Sequence, residues 1–287
     1  MWLGNEATEM NSQSFTAGIL PGRAVLRIEG AEARYFLHNL LTADIEALKA
    51  GEASYAALLT PQGKVLFDMF VYDAGPSFLV DCARSQMAEL VKRLTFYKLR
   101  AKLEISAEDS LNIGVSPVEP ADAMGFRDPR VAALGWRFFA VSAATGHAAG
   151  YDTARIIQGL ADTDADLGSG DFFPHEANLD QLGAVSFSKG CYVGQEVVSR
   201  MEHRGLARSR MLPVRLGGAA PPKGSGIRSG EKLIGSLLSS SGGMALALLR
   251  LDRLAEANAP LLTGAVSVEV MKPSWVRYDV PGAKDMA

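Results

Sequence analysis

The chain has 287 residues, which exceeds the usual size of one domain, so two or more packed units are expected. Hydrophobic residues make up 48% and charged residues 21%, as in ordinary globular proteins. The formal net charge of −3 gives no electrostatic reason to bind nucleic acid, and no direct nucleic-acid partner is expected. The two cysteines, Cys82 and Cys191, exclude a disulfide framework and a CxxC metal site, and they favour a reducing, cytoplasmic location.

The N-terminal segment shows no targeting pattern. Residues 1–20 contain two glutamates and neither lysine nor arginine, so neither a secretory signal nor a mitochondrial transit peptide is expected. Residues 1–14 are polar and are expected to be irregular. No apolar run in the chain approaches the length of a membrane span, so no membrane partner is expected.

Strand and helix patterns are mixed from residue 24 to residue 205. Strands are predicted from apolar and β-branched runs at residues 24–28, 54–59, 65–72, 78–81, 102–105, 111–115 and 138–141. Helices are predicted at residues 31–48, 86–99 and 150–159, mostly from apolar residues at helical spacing. The acidic, glycine-containing segment 162–170 is predicted to be a loop.

The last eighty or so residues have a different pattern, in which strand-like pieces are broken by Gly, Ser and Pro. Strands are predicted at residues 212–214, 232–238, 244–249 and 266–270, and their spacing favours a small antiparallel barrel. The predicted organisation is an α+β domain over residues 1–206, as one unit or two intertwined ones, and a C-terminal β-barrel domain over residues 207–287.

Residues 189–196, with the sequence KGCYVGQE, combine a thiol with a lysine, two glycines, an amide and a carboxylate. This mixture suits neither a core strand nor an amphipathic surface helix. The apolar spacing after Gly194 predicts a helix over residues 195–204, and Gly205 predicts its end. The dipole of that helix and the nearby Lys189 would both favour a thiolate at Cys191, as in reactive cysteines. The alternative is that Cys191 is a small buried apolar residue.

This segment resembles the signature of the YgfZ-type folate-binding proteins, which are relatives of the glycine-cleavage T protein, an aminomethyltransferase. Further similar segments follow in the family's order at residues 39–45, 58–64, 128–130, 174–180 and 247–250. The resemblance implies a T-protein-like α+β fold around a central folate cavity, closed by the C-terminal antiparallel β-barrel. It also implies tetrahydrofolate as the ligand, iron–sulfur client or assembly proteins as partners, and an indirect role in tRNA modification.

Asp68 is the first candidate for folate binding. On a strand it shares one face with Phe70 and Tyr72, and an acid on such a face is costly to bury unless it is paired or used. The alternative is that Asp68 lies at a solvated edge. The aminomethyltransferases carry paired aspartates here, whereas this chain has Phe67 followed by Asp68. The missing acid weakens the case for aminomethyl transfer and leaves folate binding open.

Glu176 and Asn178 form a second polar cluster. The carboxylate of Glu176 suits the 2-amino-pyrimidine edge of a pterin, while a role of either residue as a helix or turn cap is the alternative. Glu196 competes with Glu176 for the pterin edge.

Three further residues are candidates for folate binding. Gln195 would bond the pterin edge or cap the helix. Arg200 would bind the glutamate tail of folate or form a surface ion pair with Glu196 at i+4. Tyr192 would stack on the pterin or pack beside the thiol.

Three functions follow, and the first is favoured. It is a tetrahydrofolate-binding accessory protein for iron–sulfur enzyme assembly or repair, with Cys191 as the working thiol and Lys189 assisting it. The second is a folate-dependent aminomethyltransferase, whose chemistry needs no cysteine. The third is a non-catalytic interaction module. The four histidines show no metal-ligand spacing, so no resident metal site is expected.

Overall fold

The computed structural model describes residues 15–141, 144, 146–205 and 207–286. The expectation for residues 1–14 lies outside them. The strands of the first part are β1 (Gly18–Ile19), β2 (Arg23–Glu29), β3 (Ala53–Leu59), β4 (Val65–Asp73), β5 (Ser77–Ala83), β6 (Glu104–Ala107), β7 (Leu111–Ser116), β8 (Met124–Arg127) and β9 (Trp136–Val141). Its α-helices are α1 (Ala33–Leu40), α2 (Met87–Lys98), α3 (Tyr151–Ile157) and α4 (Gln195–Arg204).

A five-stranded antiparallel sheet is built in the order β3-β4-β5-β2-β6. Side chains alternate between its two faces, as the pleat requires. Phe67, Met69 and Val71 of β4 pack into one core together with the apolar faces of α1 and α2. Phe70 and Tyr72 of β4 point into a second core. The sheet therefore has a helix-covered face and a face directed toward the rest of the molecule.

A four-stranded antiparallel sheet, in the order β1-β7-β9-β8, supplies Ile113, Phe126 and Phe139 to the second core. The rings of Tyr72 and Phe126 stack with centroids 5.6 Å apart, which ties the two sheets together. Met211 and Leu246 of the C-terminal part join the same core. The second core is thus shared by both sheets and the C-terminal part.

The C-terminal part contains β10 (Ser209–Leu216), β11 (Gly226–Ser229), β12 (Lys232–Ser241), β13 (Met244–Arg250), α5 (Leu251–Ala255), β14 (Leu261–Thr263), β15 (Val266–Lys272) and β16 (Lys284–Asp285). The order is β10-β13-β12-β11-β14-β15, and β15 pairs back onto β10. The pairing closes a six-stranded antiparallel barrel, to which β16 adds in parallel. The predicted fold class is therefore confirmed. The domain boundary after residue 206 stays a prediction.

Two element predictions were wrong. The helix predicted over residues 31–48 ends at Leu40, because Leu41 forms a bridge with Leu58 and the amide of Thr42 donates to Ala57 at 3.0 Å. The predicted loop at residues 162–170 contains a π-helical turn over Thr163–Leu167. The side chain of Asp162 caps this turn by accepting from the amides of Asp164 and Ala165.

Among the described helices, none combines the length and the apolar character that a membrane crossing needs.

Candidate functional site

Asp68 lies on β4 inside the five-stranded sheet and is only 4% exposed, so the solvated-edge alternative is wrong. Its Oδ2 accepts a hydrogen bond from the Tyr55 hydroxyl at 2.9 Å, and its Oδ1 accepts from the Thr163 hydroxyl at 2.6 Å. Burial and the neighbouring Asp68 raise the pKa of Tyr55 well above its usual range, so Tyr55 remains a donor. The carboxylate is held from both sides but has lone pairs left, since its two oxygens accept about four bonds.

A cluster of buried arginines surrounds Phe70, the neighbour of Asp68 on the same strand face. The guanidinium of Arg137 lies 4.1 Å from the centre of the Phe70 ring, and that of Arg130 lies 4.7 Å from it. Arg23 and Arg137 both bind the buried carboxylate of Asp81, at distances from 2.5 to 2.9 Å. Together with Arg130 and its partner Asp128, these residues form what we call the arginine network: Arg23, Arg130, Arg137, Asp81 and Asp128.

Asp128 completes the arginine network by binding Arg130 through two oxygens, at 3.0 and 2.8 Å. Burial opposes ionisation, but Arg130 and Arg137 hold the pKa of Asp128 below its usual range. The hydroxyl of Tyr151 accepts from both Arg130 and Arg137 at 3.1 Å. The charges around Phe70 are therefore paired within the protein and fixed in place.

A cavity of about 520 Å³ opens beside this network and is lined by Leu20, Arg23, Tyr151, Arg155 and Asp162, among others. The same five residues also line a separate, narrower space of about 30 Å³ that reaches Asp68 and Phe70 and has room for about one water molecule. The larger volume falls within the range of about 300–1,000 Å³ typical of small-molecule sites. The carboxylate of Asp68 lines the narrow space and not the larger cavity.

Asp68 has acceptor capacity left toward the narrow space. The guanidinium groups of Arg23 and Arg155 are already bound to Asp81 and Asp166, at 2.6 and 2.9 Å. The two arginines that line the cavity are therefore already paired with carboxylates of the protein.

Cys191 lies in the exposed loop before α4, whereas Cys82 is buried on β5. Burial raises the pKa of the Cys82 thiol to about 12, and Arg23 only partly offsets this. The alternative that Cys191 is a buried apolar residue is therefore wrong, and that description belongs to Cys82. Helix α4 begins after Gly194 and ends at Gly205, both in the left-handed region at φ 82° and 57°.

Alkylation should distinguish the two thiols. We expect iodoacetamide at neutral pH to modify one thiol of the native chain within minutes, at Cys191, and a second only in denaturant. Thiolates are the reacting species, and Cys82 is both buried and protonated. Intact-mass spectrometry with peptide mapping measures this, with Cys191→Ser as the control that should lose the fast event. Rapid native modification of Cys82 would contradict the structure.

Lys189 is buried, and its ammonium group donates to three backbone carbonyls, those of His38, Leu41 and Ala43. The loop before Cys191 is thereby fastened to the C-terminal end of α1. Burial lowers the pKa of Lys189 to about 8, against the opposing effect of Asp44 and Glu46. Lys189, which was predicted to assist the thiol, therefore positions the loop in the structure.

Glu176 and Asn178 lie at the junction with the barrel. Glu176 accepts from the amide of Phe173 at 2.9 Å, as a turn cap would. Asn178 is fully buried, donates to the carbonyl of Met211 at 2.6 Å and accepts from the hydroxyl of Tyr278 at 2.8 Å. Its φ of 59° is in the left-handed region, which asparagine tolerates. The local contact of Glu176 matches the capping alternative, whereas the side chain of Asn178 links distant segments of the chain and caps neither a helix nor a turn.

The remaining candidates lie on or beside α4. Gln195 is its first residue and is half-buried. Glu196 and Arg200 are exposed and form an i,i+4 ion pair at 2.5 Å, as the surface alternative expected. Tyr192 is buried in the second core, its hydroxyl has no partner among the described residues, and burial raises its pKa to about 12.

Of the nine residues predicted for the site, Asp68 alone lines either space, and it lines the narrow one and not the larger cavity. The predicted set therefore divides between the interior at Asp68, the junction with the barrel, and the loop and helix that follow the thiol. The sequence reasoning missed Arg23, Arg137 and Thr163, because their partners lie far away in the chain. The segment 128–130 was noticed only through the family resemblance.

One group of potential metal ligands lies within the described residues. Ligand atoms of His175, Asp180 and Glu202 lie within 4.8 Å of one another, although their spacing in the sequence does not indicate it. Arg210 binds Asp180 at 2.6 Å, and His175 already pairs with Glu202 at 3.1 Å. A guanidinium in this position disfavours a divalent cation, so the group is better explained as an ion-pair cluster.

Comparisons with known proteins cover nearly the whole chain. Residues 208–278 match the family described as "CAF17, C-terminal beta-barrel domain". A relative from Mus musculus named "Iron-sulfur cluster assembly factor IBA57, mitochondrial" is 30% identical, over 91% of this chain and 86% of the relative. The Homo sapiens protein of that name is 31% identical, over 82% and 77%. A homolog from Pyricularia oryzae is 33% identical, over 86% and 74%.

The structure is similar to the glycine cleavage system aminomethyltransferase T from Bartonella henselae, with a TM-score of 0.71 and 15% identity over 90% of this chain and 85% of that one. This likeness concerns the fold. The predicted cytoplasmic location was wrong, because these relatives are named as mitochondrial proteins. Reduced cysteines argue against an oxidising compartment only, and they do not distinguish one reducing compartment from another.

Proposed function

The chain belongs to the IBA57 family of iron–sulfur cluster assembly factors, and from this premise we propose that it supports the assembly or repair of iron–sulfur enzymes through Cys191 and binds tetrahydrofolate in its interior cavity. The observation that carries the proposal is the separation of two features in one fold. An exposed thiol is held on a fastened loop, and a cavity with a buried carboxylate lies inside.

The loop geometry supports a thiol that meets another protein. Lys189 fixes the loop to the end of α1, so Cys191 is presented from a rigid base while it remains exposed. One thiolate cannot hold an iron–sulfur cluster alone, since such clusters usually take four. A transferred cluster is thus the cargo, and a partner or small molecule supplies the other ligands.

The cavity supports the folate part of the proposal. Tyr55 and Thr163 hold the carboxylate of Asp68 in position, and it would accept from the pterin edge once the narrow space of about 30 Å³ widens on binding. Bound tetrahydrofolate supplies nitrogen atoms that accept one-carbon units. The residue before Asp68 is Phe67 and not a second acid, so aminomethyl transfer is not favoured over simple folate binding. A role in tRNA modification would follow only through client enzymes, as the YgfZ resemblance implies.

The role of the thiol is tested in cells in which a variant of the protein replaces the wild-type protein. We expect Cys191→Ser to reduce the activity of dependent iron–sulfur enzymes at least about tenfold, because a serine hydroxyl is a poor ligand and nucleophile in place of a thiolate. Cys82→Ala is the matched control, since Cys82 is buried, and it should retain activity. Normal client activity with a well-expressed Cys191→Ser chain would refute the role of the thiol.

A further inference from the structure

Two strongly exposed apolar side chains lie at the C-terminal end of α2 and directly after it. Phe96 is 70% exposed and Leu99 is 85% exposed, while Leu90 and Leu94 of the same helix are fully buried. Lys92 and Arg93 lie four and three residues before Phe96, so these three side chains share one side of the helix, while Leu99 and Arg100 follow its end. We call Lys92, Arg93, Phe96, Leu99, Arg100 and Lys102 the basic–aromatic face.

The charge of this face is opposite to that of the chain. Residues 92–102 contain five Lys or Arg and no Asp or Glu, although the chain has a net charge of −3. Among the described residues, no carboxylate lies within ion-pair distance of Arg93, Arg100 or Lys102. Lys92 is paired with Glu89 at 3.6 Å, and both side chains are largely exposed. Arg93 and Arg100 are thus the cations of this face that no carboxylate of the described residues neutralises.

The backbone at Leu99 adds a second observation. Leu99 follows the last residue of α2 with φ 48°, in a region where glycine is the usual residue. Its side chain gains almost no burial in return. A strained position that presents a leucine to solvent is unexplained by the stability of the chain, and such strain is concentrated at functional sites.

Helix α1 extends the same side of the molecule. The backbone N–H of Lys102 donates to the carboxylate of Glu32, and the amide of Glu32 donates to the Lys102 carbonyl at 3.5 Å. The first turn of α1 therefore lies against the segment that follows α2. Tyr35, one turn after Glu32, is 67% exposed.

We propose that the basic–aromatic face docks an acidic surface of a partner protein in iron–sulfur assembly, with Phe96 and Leu99 as its apolar anchors. This inference rests on the proposed function for the kind of partner. Aromatic and arginine side chains are enriched at the energetic centres of protein interfaces. The unpaired cations select a carboxylate-rich partner by charge complementarity and accelerate its association.

The test uses a photo-crosslinking residue in the full-length chain in cells. Benzoylphenylalanine replaces Phe96, and in a matched control it replaces Val118, which is 68% exposed elsewhere on the surface. We expect position 96 to yield an adduct with an iron–sulfur protein, attached at a segment rich in Asp and Glu. The double variant Arg93→Glu, Arg100→Glu should reduce its yield at least about tenfold, because like charges then face each other.

Three results would overturn the proposal. The first is an adduct yield at position 96 no higher than that at position 118. The second is attachment of the adduct at a basic or neutral surface of the partner. The third is an adduct that still forms in the double variant. Binding of the chain to vesicles of phosphatidylcholine and phosphatidylglycerol, abolished by the same variant, would assign the face to a membrane instead. The adduct should persist in Cys191→Ser, so failure of docking and failure of the thiol role are distinguishable.

Discussion

Replacing Asp81 by alanine is expected to lower the free energy of unfolding by about 3–5 kcal/mol, the cost of removing one partner from a buried ion pair. Asp81 is fully buried and binds Arg23 and Arg137, and the side chain of Arg137 is only 2% exposed. Removing the carboxylate leaves both guanidinium groups without their main counter-charge in the interior. The arginine network around Phe70 should loosen with it.

Urea denaturation followed by circular dichroism measures this effect. Asp81→Asn keeps the shape and one acceptor oxygen, so it should lie between wild type and Asp81→Ala. Glu256→Ala removes an exposed ion pair with Lys232 and should change the free energy of unfolding by less than about 0.5 kcal/mol. A loss below about 1 kcal/mol for Asp81→Ala would mean that the two arginines find other partners or water.

Replacing Asp68 by alanine is expected to weaken tetrahydrofolate binding at least about tenfold, since charge-assisted hydrogen bonds to the pterin edge are lost. Tyr55 and Thr163 also lose their acceptor, so circular dichroism must first show a native fold. Asp68→Asn keeps one acceptor oxygen and should weaken binding less. Equilibrium dialysis gives the dissociation constants.

Glu196→Ala is the matched control for folate binding. Glu196 was also predicted to contact folate, but it is exposed on α4 and paired with Arg200. We expect its dissociation constant to equal that of wild type. Equal affinity of Asp68→Ala and wild type, or a loss with Glu196→Ala instead, would move the ligand from the cavity to the surface of α4.

Local signals in the sequence were sufficient for the main strands and for α4. The turn at residues 60–64 separates two apolar runs, and these form β3 and β4 as predicted. Gly194 and Gly205 mark the ends of α4, since both adopt positive φ. The end of α1 was mispredicted because the apolar spacing continues past Leu40, whereas tertiary contacts of Leu41 and Thr42 stop the helix.

Much less of the interior cavity could be predicted from the sequence. Asp81 and Arg137 are 56 positions apart, and Asp68 and Thr163 are 95 apart, so no local pattern links them. The acid at position 68 was noticed because it interrupts an apolar strand face. Its partners, and the closure of the barrel by β10 and β15, depend on long-range pairing that periodicity does not encode.

The most direct measurement is a calorimetric titration of the wild-type chain and of Cys191→Ser with tetrahydrofolate. The cavity that includes Asp68 does not include Cys191, so both proteins should bind one equivalent with the same micromolar-range affinity. Loss of binding in Cys191→Ser alone would contradict the separation of thiol and cavity. Absence of binding in both would remove folate from the function of this protein.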